Sequence, residues 1–169
     1  MSLVDEKLVL VDDNDVVIGS KRRSEVQKEG LMNFRVINAF VINSKGEMWI
    51  PRRSASKRIF PLCLDMSVGG HVEEGESYDD TFRRETKEEL GLDIDAVPHR
   101  LLGKLTPKTN LVSAFMQVYE IKLDTVPNYN KDDFVEYYWF TPKAYFDHVV
   151  KGEKVKGDLS QLVRKFYLL

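Results

Sequence analysis

GHVEEGESYDDTFRRETKEELGL, residues 70–92, is a glycine-rich loop running into a helix. Ser77 is a natural N-cap, and Asp80 three residues on completes a variant of the capping box. Gly91 follows Leu90, where a helix-ending glycine belongs. Tyr78, Phe82, Thr86 and Leu90 recur at four-residue steps and form one packing face. Glu85, Glu88 and Glu89 fall at i, i+3 and i+4, sharing an arc of about 100°. Like charges so close repel one another, and a hard dication such as Mg²⁺ or Mn²⁺ relieves that repulsion. Carboxylate-held magnesium favours phosphate oxygens and activates water, so the pattern points to phosphoryl chemistry. Taken alone, RRETKEEL reads more simply as a solvated face with Arg84 and Glu88 as an ion pair.

The surrounding sequence is a series of strands and helices. Arg35 to Asn43 (RVINAFVIN) is predicted as a strand, Asn43 to Gly46 as its turn, and Glu47 to Pro51 as the returning strand. Lys7 to Val11 and Val16 to Gly19 read as two short strands, and Ser24 to Glu29 as a short helix. These first thirty residues are expected to be a small appendage of one domain spanning residues 1–169. Ser67 to Gly75 reads as loop. Leu111 to Leu123 and Phe134 to Phe140 are further strands, and Pro142 to about Val150 and Leu159 to Tyr167 are helices. Interspersed strands and helices predict a layered α/β (α+β) domain.

Composition narrows the function. The apolar share suits a globular core. A formal net charge of -2 over 169 residues argues against a nucleic-acid polymer as partner. The single cysteine, Cys63, excludes an intrachain disulfide and fits a reducing, cytoplasmic setting. No stretch approaches the ~20 apolar residues of a membrane span.

The wider spacing outweighs the solvated-face reading. Gly70, Glu76, Arg84, Glu85, Glu88, Glu89, Gly91 and Leu92 fall in register with the Nudix box, G-x5-E-x7-R-E-U-x-E-E-x-G-U, where U is a bulky aliphatic residue. Thr86 departs from the pattern at an aliphatic position, which reads as weaker packing. The chain thus resembles the Nudix hydrolases. That resemblance implies an α/β/α sandwich around a mixed central sheet, with residues 70–92 as its loop-helix-loop. It implies metal ligation by Glu85, Glu88 and Glu89, with the carbonyl of Gly70 as a further ligand. Glu76 and Arg84 would be the supporting pair, Arg84 orienting the glutamates through charge-assisted hydrogen bonds. Gly91 would end the helix. Homodimers are common in the family. A later-strand carboxylate often joins such sites; Glu136 is the candidate, with an exposed strand position as the alternative.

Residues 52–71, RRSASKRIFPLCLDMSVGGH, resemble the Nudix branch related to isopentenyl diphosphate isomerase. That enzyme carries Cys-Gly-His at the box entrance, where this chain has Gly69-Gly70-His71, and Cys63 lies too early to replace the thiol. Phe34 falls near the isomerase's upstream metal histidine. Hydrolysis is therefore favoured over isomerisation. Arg52, Arg53, Lys57 and Arg58 form a basic loop, suited either to gripping substrate phosphates or to solvation. His71 reads as a structural loop histidine or as a group near the phosphate. Cys63 reads as a buried filler, and Trp49, Phe60, Tyr138 and Trp139 as packing residues before base-stacking ones. The expected reaction is Mg²⁺-assisted attack of water on a diphosphate linkage in a small substrate, a nucleoside diphosphate derivative by default. Glu88, Glu89 or Glu136 would be the base. A non-catalytic nucleotide-binding sensor on the same fold is the remaining alternative.

Overall fold

A computed structural model describes residues 4–168; residues 1–3 and 169, the ends of the expected domain, lie outside it. β3 (Arg35–Ile42) organises the fold. β7 (Phe115–Lys122) lies parallel to it along its full length. Its other edge is shared by two strands: β4 (Met48–Arg53) pairs at Val41 and Ile42, and β5 (Val68–His71) pairs from Val36 to Ala39, both antiparallel. β6 (His99–Leu105) and β8 (Phe134–Phe140) flank the mixed sheet, which runs β6-β7-β3-β4-β8.

Alternation along β3 divides the core. Ile37, Ala39 and Val41 face the helix α2 (Tyr78–Leu90), packed with Phe82, Leu90 and Tyr119. Phe40 faces α4 (Pro142–Val150) and α5 (Leu159–Tyr167), packed with Tyr145, Leu162 and Val163. The expected helix–sheet–helix layering is therefore present. Among the described residues no helix is long and apolar enough to cross a membrane.

β1 (Lys7–Val11) and β2 (Val17–Arg22) form a separate ribbon, followed by α1 (Arg23–Glu29). The ribbon is stitched to the main body: Val9 donates to the carbonyl of Val72 (3.1 Å), and Val9 and Val11 enter the core beneath α2.

Three elements differ from the sequence expectations. Val68–His71 is strand β5, not loop. Two adjacent glycines carry no intrinsic strand preference, so the pairing edge of β3 supplies the conformation. Residues 99–105, with no expectation attached, form β6. The strand expected from Leu111 begins only at Phe115, because the short helix α3 (Pro107–Asn110) ends at Leu111 in a left-handed conformation (φ 59°).

α2 is fixed at both ends and along its buried face. Ser77 Oγ accepts from the Asp80 N–H (3.1 Å) while Asp80 accepts from the Ser77 N–H (2.9 Å). Gly91, at φ 64°, closes the helix by donating to the Lys87 carbonyl (3.0 Å). Phe82 stacks on Tyr119 with ring centroids 3.9 Å apart. The predicted face Tyr78, Phe82, Thr86 and Leu90 is buried throughout. Thr86 is fully buried, yet its hydroxyl has no hydrogen-bond partner among the described residues. An unpaired buried hydroxyl costs about 1–3 kcal/mol. Thr86→Val keeps the shape and removes the orphaned group, so it should stabilise the protein by about 1 kcal/mol or more. Urea or thermal denaturation of the two forms checks this.

Candidate functional site

The centre of the site is a close approach between β5 and α2. A β-carbon placed on Gly70 would come within 2.4 Å of Cγ and Cδ of Glu85. Residue 70 is therefore glycine because the Glu85 side chain occupies that space. Arg84 sets the Glu85 carboxylate in place. Its Nε and Nη2 donate to the two oxygens of Glu76 (2.7 and 2.9 Å), and Nη1 donates to Glu85 Oε1 (2.8 Å). Nη2 also reaches the His71 carbonyl (3.3 Å). Glu76 is held in turn by the Glu73 N–H and the Thr81 hydroxyl, each at 3.0 Å.

This network forms one wall of a cleft of about 910 Å³. Glu85, Glu88 and Glu89 of α2 line it, together with Gly69, Gly70 and His71 of β5. The last residue of β4, Arg53, and Lys57 of the following loop also line it, each tied to an acid. Arg53 donates to Asp65 Oδ2 (2.8 Å) and to the carbonyls of Ile59 and Phe60 (2.9 and 3.1 Å), while Lys57 binds Asp133 (2.5 Å). Arg23, Gln27 and Phe34 close the cleft from the amino-terminal side.

Removal from water dominates the charge states. Burial, and then the neighbouring charge of Glu88 working against Arg84, push the Glu85 carboxyl up to about 7. Burial and the charge of Glu85 raise Glu89 well above the usual carboxylate range. Burial likewise lowers His71 to about 3, assisted by the positive charges of Arg23 and Lys156, so this ring is neutral at physiological pH. Arg84's hydrogen bonds hold Glu76 low against the opposing effect of burial.

The adjacent acids of α2 thus resist joint ionisation unless a cation joins them. Hard carboxylate oxygens, with the Gly70 backbone alongside Glu85, fit a dication such as Mg²⁺. The fit needs adjustment: among the described residues no three acidic, histidine or cysteine groups already converge on one point. Glu88 leans instead toward Arg84, 3.6 Å away, with its side chain largely exposed.

Of the residues singled out by sequence, Gly70, Glu85, Glu88, Glu89, Arg84, Arg53, Lys57 and His71 share the cleft. Glu76 stands behind it as the support of Arg84. Arg52 and Glu136 do not line it. They are opposed across β4 and β8 and bond to each other, and Arg52 also reaches Glu153 (2.6 Å). Alternation explains this placement: Arg52 points to the face opposite Arg53 and takes its strand partner with it. Cys63 is buried. Trp49 is core and stacks on Tyr137 (5.7 Å), and Tyr138 stacks on Phe140 (4.8 Å). Of the four aromatic residues weighed for base stacking, Phe60 alone lines the cleft. Sequence reasoning missed Arg23, Asp65, Asp133 and Lys156. Asp65, a lone acid inside the apolar run Leu62–Met66, carried a detectable signal; the others carried none.

Comparison with known proteins gives a consistent result. A NUDIX domain family model matches residues 32–163. An uncharacterized Nudix hydrolase of Nostoc sp. is 57% identical over 162 residues, covering 96% of each chain. A Nudix hydrolase of Deinococcus radiodurans is 45% identical over 163 residues, covering 96% of this chain and 95% of its own. A crystal structure of a protein from the same organism superposes with a TM-score of 0.90 at 44% identity, covering 96% of this chain and 99% of that one. An isopentenyl-diphosphate Delta-isomerase of Kocuria rhizophila is 30% identical over 142 residues, covering 82% of this chain and 79% of its own.

The charge states of α2 make a prediction about stability. Without metal, folded Glu85 keeps its proton up to about pH 7, whereas in the unfolded chain it ionises near 4.5. Its folded proton affinity is the higher one, so stability is full below the unfolded value and falls as pH rises through the interval. The loss from Glu85 is on the order of 3 kcal/mol, and Glu89, raised in the same direction, adds to it. Denaturation of chelator-treated protein between pH 5 and 8 should show this decline, Glu85→Gln should flatten it, and Mg²⁺ should reverse it at the alkaline end.

Proposed function

Since the chain belongs to the Nudix hydrolase family, an enzyme family that cleaves diphosphate-containing substrates, we propose that it hydrolyses the diphosphate linkage of a nucleoside diphosphate derivative or similar small molecule with Mg²⁺. The observation carrying this reading is the pairing of Glu85 and Glu89, whose joint ionisation calls for a cation, with Arg53 and Lys57 in the same cleft. Glu85, Glu88 and Glu89, with the Gly70 carbonyl, would hold the metal, and Mn²⁺ suits the same oxygens. A bound dication supplies neutralisation of charge on the phosphoryl oxygens and acidifies water.

The chain's own residues divide the remaining work. Arg53 and Lys57 bind the diphosphate, each oriented by a buried acid. Arg84, locked to Glu76, keeps Glu85 in position. A water oxygen attacks one phosphorus as the bond from that phosphorus to the bridging oxygen breaks, giving two phosphorylated fragments. Glu88, the most solvent-exposed acid of the turn, accepts the water's proton and can pass it to solvent. Glu89 is the other candidate; Glu136, engaged by Arg52, is left out. His71, neutral and 5.6 Å from the Phe34 ring, serves as packing at the cleft floor.

Isomerisation is disfavoured because Gly69 stands where the isomerase resemblance calls for a thiol, and Cys63 is buried. The site takes a small diphosphate rather than a nucleic-acid polymer, in keeping with the net charge of -2. The lone reduced thiol supports a cytoplasmic setting.

A phosphate-release screen with and without Mg²⁺ tests the reading, using nucleoside diphosphate sugars, dinucleoside polyphosphates, oxidised nucleotides and prenyl diphosphates. Metal-dependent release from at least one class is expected, with no rearrangement of isopentenyl diphosphate. Glu89→Gln and Glu88→Gln should lower turnover about 10²- to 10³-fold with an unchanged circular dichroism spectrum. Wild-type rates in both variants would overturn the assignment of the acids.

A further inference from the structure

Lys156 lies in the segment between α4 and α5, far in sequence from the box, and lines the same cleft. The segment is laid firmly against the cleft wall. Leu64 donates to the Lys154 carbonyl (2.9 Å), Lys156 donates to the Leu64 carbonyl (2.8 Å), and Leu64 and Val155 form a parallel bridge. The backbone of Lys156 is therefore fixed, and only its side chain has freedom.

Its ammonium stands 3.5 Å from Asp65 Oδ1. Asp65 does not need it. This buried acid already receives the Arg53 guanidinium at 2.8 Å and the Met66 N–H at 2.7 Å. An ammonium has three donors, and the contact to Asp65 is long for a hydrogen bond. Donors on Lys156 remain available to a ligand in the cleft. A β-carbon on Gly69 would sit 3.6 Å from Lys156 Nζ, an ordinary contact, and 3.2 Å from Asn38 Oδ1, so the lysine head lies directly against β5.

We propose that Lys156 is a phosphate-binding residue of the cleft, gripping the substrate's diphosphate from across Asp65 as a third cation beside Arg53 and Lys57. The proposal rests on the diphosphate reading of the site. Asp65 acts as a positioning residue, presenting Arg53 on one oxygen and Lys156 on the other. Two cations held on one buried carboxylate are kept apart by its geometry, and each is spared the rotamer search an isolated lysine or arginine undergoes on binding. A purely structural lysine, one that only neutralises Asp65 and Glu89, would influence melting and leave anion affinity untouched.

The test measures binding of inorganic pyrophosphate, with and without Mg²⁺, by calorimetry on wild type, Lys156→Met and Lys156→Arg, alongside KM and kcat on whichever diphosphate the screen identifies. For Lys156→Met, pyrophosphate affinity should fall and KM rise on the order of 10- to 100-fold, with a smaller change in kcat and a near-unchanged melting temperature. Lys156→Arg should recover most of the affinity. If the methionine form fails to give a cooperative melt, Lys156→Gln, which keeps a polar group beside Asp65, decides by the same measurements. Wild-type pyrophosphate affinity in the neutral variants overturns the proposal, as does a wild-type protein that does not bind pyrophosphate under either condition. If wild type binds pyrophosphate but hydrolyses nothing in the screen, the hydrolytic reading fails, and loss of that binding in Lys156→Met still supports the assignment of Lys156.

Discussion

The site depends on one steric fact: the Glu85 side chain fills the volume that any side chain at residue 70 would require. A carboxylate can be pressed against a strand backbone only if the strand carries glycine there and the carboxylate is held from the other side. The holding is done by a relay. The Glu73 N–H and the Thr81 hydroxyl of α2 fix Glu76, Glu76 takes two donors from Arg84, and a third Arg84 donor goes to Glu85. Each link is charge-assisted or bidentate, the kind of hydrogen bond that fixes direction as well as distance. The relay ties α2 to β5, and β5 itself is ordered through its pairing with β3.

Opposite signs are interleaved around the cleft. Arg53 and Lys57 are each bound to a buried aspartate, and the acids of α2 face the same space. Ion pairs withdrawn from water recover little net stability, since desolvation offsets much of the attraction. Their consequence here is orientation. Long side chains that would otherwise sample many rotamers are already aligned, which lowers the entropic cost of gripping a doubly charged group. The strain of the arrangement falls on Glu85 and Glu89, whose carboxyls hold protons more tightly than ordinary carboxylates.

The amino-terminal ribbon changes meaning once folded. As sequence it is two short strands and a helix of no evident purpose. In the structure β1 bonds to Val72 directly after β5, and α1 brings Arg23 and Gln27 to the cleft. Gly69 and Phe34 line the same cleft.

The sequence by itself determined the helix of the box, its caps and the grouping of Glu85, Glu88 and Glu89, because these depend on spacing within a few turns of one element. It also determined β3 and β8, whose β-branched and aromatic residues favour strand locally. The tertiary structure alone decided that Val68–His71 is a strand, since two glycines adopt β conformation only when a partner edge fixes them. It decided, too, that Arg53 faces the cleft while Arg52 turns away to Glu136, a matter of register on the sheet. Lys156 and Asp133 reach the cleft through contacts with residues distant in the chain, Leu64 and Lys57, and no local pattern encodes such meetings.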